Sequence, residues 1–114
     1  MAAKKQVEEW GVEYFKRHRA DDPGESTPGR EFLLSIPPKV SARFFTLLEA
    51  IADGPMSFGG GYWEVMHHAM AGDYEVRVDS KTTHYRLFCI LERAWAKVGL
   101  EGPSIIVVVG KTWR

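Results

Sequence analysis

Between Tyr74 and Leu91 apolar and polar residues alternate in two runs, separated by the polar stretch Ser80–Thr83. A period of two belongs to a pleated strand, in which every second side chain lies on one face. The segment therefore predicts two half-buried strands forming a hairpin. Val76 and Val78 fall on one face, with Glu75, Arg77 and Asp79 on the other. After the turn, Tyr85, Leu87, Cys89 and Leu91 share a face, and His84 and Arg86 share the opposite one. With Ser80–Thr83 as a four-residue loop, Arg77 falls directly across from Arg86. Like charges opposed across a ladder destabilise it. A pair of this kind is expected where an anion is to be held.

The chain has 114 residues, enough for one domain, and 45% are hydrophobic, enough for a core. Fifteen Lys and Arg balance fifteen Asp and Glu. Global charge thus selects no nucleic-acid partner, and any anion site must be local. Cys89 is the only cysteine, which excludes an internal disulfide and fits a reducing compartment. Its place between Leu87 and Leu91 predicts a buried, inert thiol. No apolar run follows Met1 to Lys5, so no signal peptide is expected. No stretch approaches membrane-spanning length, and the expectation is a cytoplasmic protein with no membrane partner.

Ahead of the hairpin, Trp10–Arg17 reads as a strand with Trp10, Val12 and Tyr14 alternating against polar residues. Arg19–Thr27 is polar, with Gly and Pro, and reads as a loop. Thr27-Pro28 predicts an N-cap and a first helical proline, opening a short helix to about Ser35. Pro37-Pro38 breaks that helix and starts a second, in which Val40, Phe44, Leu47, Leu48 and Ile51 follow helical spacing. Gly54 and Pro55 stop it. Ser57–Tyr62 is glycine-rich but lacks the Lys-Ser/Thr of a phosphate-binding P-loop, and reads as a connector. Trp63–Ala71 predicts a helical turn. Glu92–Pro103 is a long connection, and Ile105–Val109 an apolar run read as a strand covered on both faces. The fold class is α+β: a first strand, two helices, then an antiparallel meander with the helices on one face of the sheet.

Three stretches in this order resemble the RelE/ParE toxin superfamily of bacterial toxin–antitoxin systems, and most closely its phage-associated HigB-like branch. Pro28–Val40 resembles the first helix of that branch and its junction with the second. Tyr74–Ser80 with His84–Phe88 resembles its central hairpin, and Ile105–Lys111 its last strand. The likeness spans about residues 10–111. It implies a toxin of a type II system, a metal-independent endoribonuclease cleaving messenger RNA, often on the ribosome, and neutralised by a cognate antitoxin protein. It also admits two other readings: a non-catalytic gyrase poison, and a degenerate module that only binds an antitoxin. By the resemblance Arg77 falls where the family has a basic residue before the turn. Arg86 falls on its best-kept arginine, and Lys111 in the basic patch after the last strand. Asp79 departs from the pattern, standing where several ribonuclease members have a second basic residue. The chain also stops at Thr112-Trp113-Arg114, where relatives usually continue with a basic segment or helix.

Metal-free RNA cleavage uses the ribose 2′-hydroxyl as nucleophile, and negative charge builds on the phosphoryl oxygens. Arg77 and Arg86 each offer a planar fork to phosphate. A base must take the 2′-hydroxyl proton and an acid must protonate the leaving oxygen. His84, Lys81, Tyr85, His67 and His68 are the nearby candidates, and His84 stands first because histidine titrates nearest neutral pH. Tyr85 is aimed at the core by the alternation. The expected catalytic set is Arg77, Arg86, His84 and Lys111, with Lys81, Trp113 and Arg114 on the RNA path, and no metal or cofactor. The competing reading is a solvated face on which Arg77 and Arg86 pair with Glu75 and Asp79. Adjacent His67 and His68 diverge in direction and have no partner carboxylate at ligand spacing. Trp63, Met66 and Met70 read as packing.

Overall fold

Five strands and two helices build an α+β fold in the computed structural model, which describes residues 9–66 and 73–114. Strand β1 is Gly11–Tyr14, with Val12 and Tyr14 partly buried and Gly11 and Glu13 exposed. It is shorter than the Trp10–Arg17 run. Beyond Phe15 the chain enters a loop in which the Asp22 carboxylate accepts the backbone N–H groups of Gly24 and Ser26.

Helix α1 is Pro28–Ser35, with proline in its first turn. The Thr27 side chain makes no cap bond. The Thr27 N–H instead donates to Glu31 Oε2 at 2.7 Å, so the carboxylate reaches back to the helix start. Ile36 is extended, as a residue before proline must be. Helix α2 is Pro38–Ala52 and buries Val40, Phe44, Leu48 and Ile51 along one stripe. The Ser41 hydroxyl donates to the Leu33 carbonyl and ties the two helices together.

The predicted helical turn from Trp63 is corrected for its first residues. Trp63–Val65 is strand β2, with Trp63 opposite Val76 and Val65 opposite Tyr74. Three residues hold too little helical register to resist a ladder that buries Trp63, whose indole stacks on Tyr74 at 4.6 Å and donates to the Pro55 carbonyl. The remainder of that expected turn, with His67, His68 and Met70, lies outside the described residues.

Strands β3 (Tyr74–Ser80) and β4 (Thr83–Glu92) form the expected hairpin. Ser80 and Thr83 pair, so the turn proper is Lys81-Thr82 rather than a four-residue loop, and Lys81 takes φ 55°. The connection after β4 contains a 3₁₀ turn at Trp95–Val98 and leads into β5, Ser104–Trp113. That last strand runs antiparallel to β4 and parallel to β1, so the sheet is mixed, in the order β1-β5-β4-β3-β2.

β5 is not covered on both faces as the apolar run predicted. Ile105 and Val107 are buried, while Ile106 and Val108 are only partly so and Val109 is exposed. The register slips between Phe88 and Cys89, where Val109 and Val107 are their respective partners. Val108 is the extra residue of this bulge. The bulge resets the alternation, turning Gly110 inward and Lys111 and Trp113 outward.

The core joins alternate strand positions to the helix stripes: Val76, Val78, Leu87, Cys89, Ile105 and Val107 with Leu33, Phe44, Leu48 and Ile51. α1 lies against β5 so closely that a Cβ on Gly29 would sit 2.7 Å from Val107 Cγ1. A Cβ on Gly110 would run into the Phe32 ring. Among the described residues no helix is long and apolar enough to cross a membrane.

Candidate functional site

The register brings the outward-pointing residues of β3, β4 and β5 into rows on the face opposite the core. Arg77 pairs with Arg86, and Arg86 with Lys111, so three cations stand in line across three strands. Neighbouring strands lie about 4.8 Å apart, close enough for one phosphate to meet two of these groups. In the next row, nearer the hairpin turn, Asp79 pairs with His84 and His84 with Trp113. The expected catalytic residues Arg77, His84, Arg86 and Lys111 are therefore brought together. Lys81 sits in the turn and Arg114 follows the last strand, both exposed at the same end of the face.

The guanidinium groups do not stand bare. Arg77 Nε donates to Glu75 Oε1 at 2.6 Å, and the Glu75 side chain is only 14% exposed. Arg86 Nη1 donates to Asp79 Oδ1 at 2.7 Å and to the Tyr85 carbonyl at 2.9 Å. Each arginine thus has its own carboxylate, which offsets the cross-strand repulsion expected of an unpaired couple.

Asp79 Oδ1 also contacts His84 Nδ1 at 3.0 Å. An ionised carboxylate only accepts, so Nδ1 carries the proton and, in the neutral ring, Nε2 is left as an acceptor. The hydrogen bond from Arg86, and then that from His84, hold the Asp79 carboxyl below the usual carboxylate range.

Trp113 covers this group. Its ring lies 5.0 Å from Arg86 Cζ and 5.8 Å from Lys111 Nζ, within cation–π range. The ring centroid of His84 is 5.5 Å away, tilted by 36°. Arg86 is enclosed as a result, its side chain only 12% exposed, whereas Arg77 is 41% exposed. Trp113 is partly open and offers a flat surface to a stacked base. Tyr85 is buried on the opposite face, as the alternation requires.

In the sequence Asp79 stood as a departure from the basic pattern that the resemblance implies. The Arg77–Glu75 and Arg86–Asp79 pairs are those of the competing reading of a solvated face; what the sequence reading left out is that the Asp79 carboxylate also orients His84. The signal was present: in the hairpin register Asp79 stands directly across from His84. Among the described residues no group of three or more His, Cys, Asp or Glu is placed to hold a metal ion. His67 and His68, the other base candidates, lie outside them.

Comparison of the chain with protein-family models, with characterised proteins and with solved structures finds no match.

Proposed function

We propose that the protein is a RelE/HigB-like toxin, an endoribonuclease that cleaves messenger RNA by attack of the ribose 2′-hydroxyl and is neutralised by an antitoxin. The observation that supports this reading most is the row Arg77, Arg86, Lys111 with His84 and Trp113 beside it. The two helices ahead of the hairpin fit the same RelE-like reading.

In this reading His84 Nε2 takes the 2′-hydroxyl proton, with Asp79 holding the ring by its other nitrogen; the 2′-oxygen bonds to phosphorus as a 2′,3′-cyclic phosphate, the P–O5′ bond breaks, and the leaving 5′-oxygen takes a proton from water. Successive outward residues on a strand lie roughly 7 Å apart. A phosphate over Arg86 therefore leaves the adjacent 2′-hydroxyl within reach of His84. Arg77 and Lys111 flank that phosphate and stabilise the charge that develops on it. The base on one side stacks on Trp113. Phosphate must displace carboxylate from at least one guanidinium for this to happen, and Arg77, the more open, is the first to be engaged.

The test is expression without a partner in the bacterial host, with RNA mapped for new 5′ ends. New ends that vanish in Arg86→Ala, with the variant still folded, support the reading. Growth arrest without new ends turns attention to the second reading, a gyrase poison. That reading is favoured by the enclosure of Arg86 under Trp113 and is scored by a supercoiling assay.

A further inference from the structure

Beside the cation row, on the side away from the hairpin turn, the outer face carries a row of different chemistry. Glu64 of β2 pairs with Glu75 of β3, Glu75 with Phe88 of β4, and Phe88 with Val109 of β5. Two carboxylates therefore stand next to an aromatic ring, and like charges opposed across a ladder destabilise it. Among the described residues Glu75 has one bonded side-chain partner, Arg77, whose Nε donates to Oε1 at 2.6 Å. The Glu75 side chain is 14% exposed and that of Arg77 41%. The arginine is open enough to turn toward a phosphate, and a mostly covered carboxylate beside Glu64 then stays behind.

A covered carboxylate that has lost its donor is costly. The order of the rows says what replaces that donor. With the attacking 2′-hydroxyl at His84, one row from the phosphate on the turn side, the nucleoside on the leaving 5′-oxygen falls one row to the other side, over Phe88 and Glu75. We propose, on the basis of the nuclease reading, that Phe88 and Glu75 form the subsite for the base 3′ to the cut and select guanine there. The Phe88 ring is partly exposed and supplies a face for stacking. Neighbouring strands lie about 4.8 Å apart, so the carboxylate beside the ring meets the edge of a base stacked on it. A carboxylate only accepts. Guanine presents N1–H and its exocyclic amine side by side on one edge, a donor for each oxygen. Adenine and cytosine present one amine next to a ring-nitrogen acceptor, which opposes the second oxygen. Uracil presents N3–H between two carbonyl oxygens and fits worst. Glu75 exchanges Arg77 for the base, which couples phosphate binding to base identity.

The experiment is an NMR titration of the full chain with dinucleotides in which 2′-O-methyl-uridine is linked 3′ to 5′ to guanosine, adenosine, cytidine or uridine. The methyl group blocks cleavage. The inverted dinucleotide, 2′-O-methyl-guanosine linked to uridine, controls for orientation. The guanosine dinucleotide is expected to bind roughly tenfold more tightly than the uridine one, the scale of one good bidentate contact. The inverted dinucleotide is expected to gain nothing. Glu75→Ala is expected to bind all four alike, and no more weakly than wild type binds the uridine dinucleotide, because Arg77 is no longer held. Glu75→Val, which keeps a strand-forming residue, serves if Glu75→Ala does not fold. Phe88→Leu, which removes the flat ring, is expected to weaken all four by a similar factor. Binding without preference overturns the subsite and leaves the nuclease reading standing. So does a guanine preference that persists in a folded Glu75 variant. No binding of any dinucleotide overturns both.

Discussion

Arg77 and Arg86 stand directly opposite each other on β3 and β4, and each is held by a separate carboxylate of β3, Arg77 by Glu75 and Arg86 by Asp79. Arg77 therefore does not simply repel its neighbour. It also satisfies Glu75, whose side chain is mostly covered. Arg77→Ala should destabilise the protein by about 1 kcal/mol, a charge-assisted bond discounted for the exposure of the arginine. In the proposed nuclease it should also reduce cleavage by about tenfold or more. The urea midpoint and the cleavage rate, measured on the same preparation, check both parts. A variant more stable than wild type would mean that the repulsion outweighs the Glu75 bond.

Asp79 offers a pH test. Its carboxyl is held below the usual range first by the Arg86 hydrogen bond and then by that of His84. A depressed carboxyl contributes stability that is fully present above its unfolded value, about 3.9. That contribution is lost as the pH falls through the folded value. Wild type should therefore lose stability more steeply below about pH 4 than Asp79→Asn does. Urea midpoints collected from pH 6 down to pH 2 give the comparison, and parallel curves would show that the two bonds do not persist in solution.

The cysteine should be silent. Burial pushes the Cys89 thiol up to about 12, and its sulfur lies within the core cluster. The thiolate is the reactive form, so iodoacetamide at neutral pH should leave the folded protein unmodified and label it fully in urea. Mass spectrometry distinguishes the two. Rapid labelling of the native protein would indicate that the sheet opens locally on that timescale.

Gly110 is a position where one methyl group should matter. A Cβ there runs into the Phe32 ring, which itself packs edge-on against Phe44 at 6.1 Å. Gly110→Ala should lower stability by roughly 1–3 kcal/mol, the usual cost of overpacking. Thermal melting reads it. The outward-facing Lys111→Ala is the control and should stay within about 0.5 kcal/mol of wild type.

The hairpin was legible in the sequence because period-two alternation leaves a strand only one way to bury its apolar side, and that fixes which residues share a face. The two helices were legible for similar reasons: proline sets their starts, and the Val40, Phe44, Leu48, Ile51 stripe has no other use. Trp63–Val65 was not, since a three-residue segment has no period of its own and takes the structure of the strand it pairs with. The outward turn of Lys111 and Trp113 depends on a bulge at Val108, which no local pattern announces. The alternation placed Arg77, His84 and Arg86 together from sequence alone. That Asp79 serves both His84 and Arg86, and that Trp113 closes over them, was decided by the tertiary structure. Side-chain hydrogen bonds and ring contacts depend on distances of a few ångströms across three strands, and only the assembled sheet sets those distances.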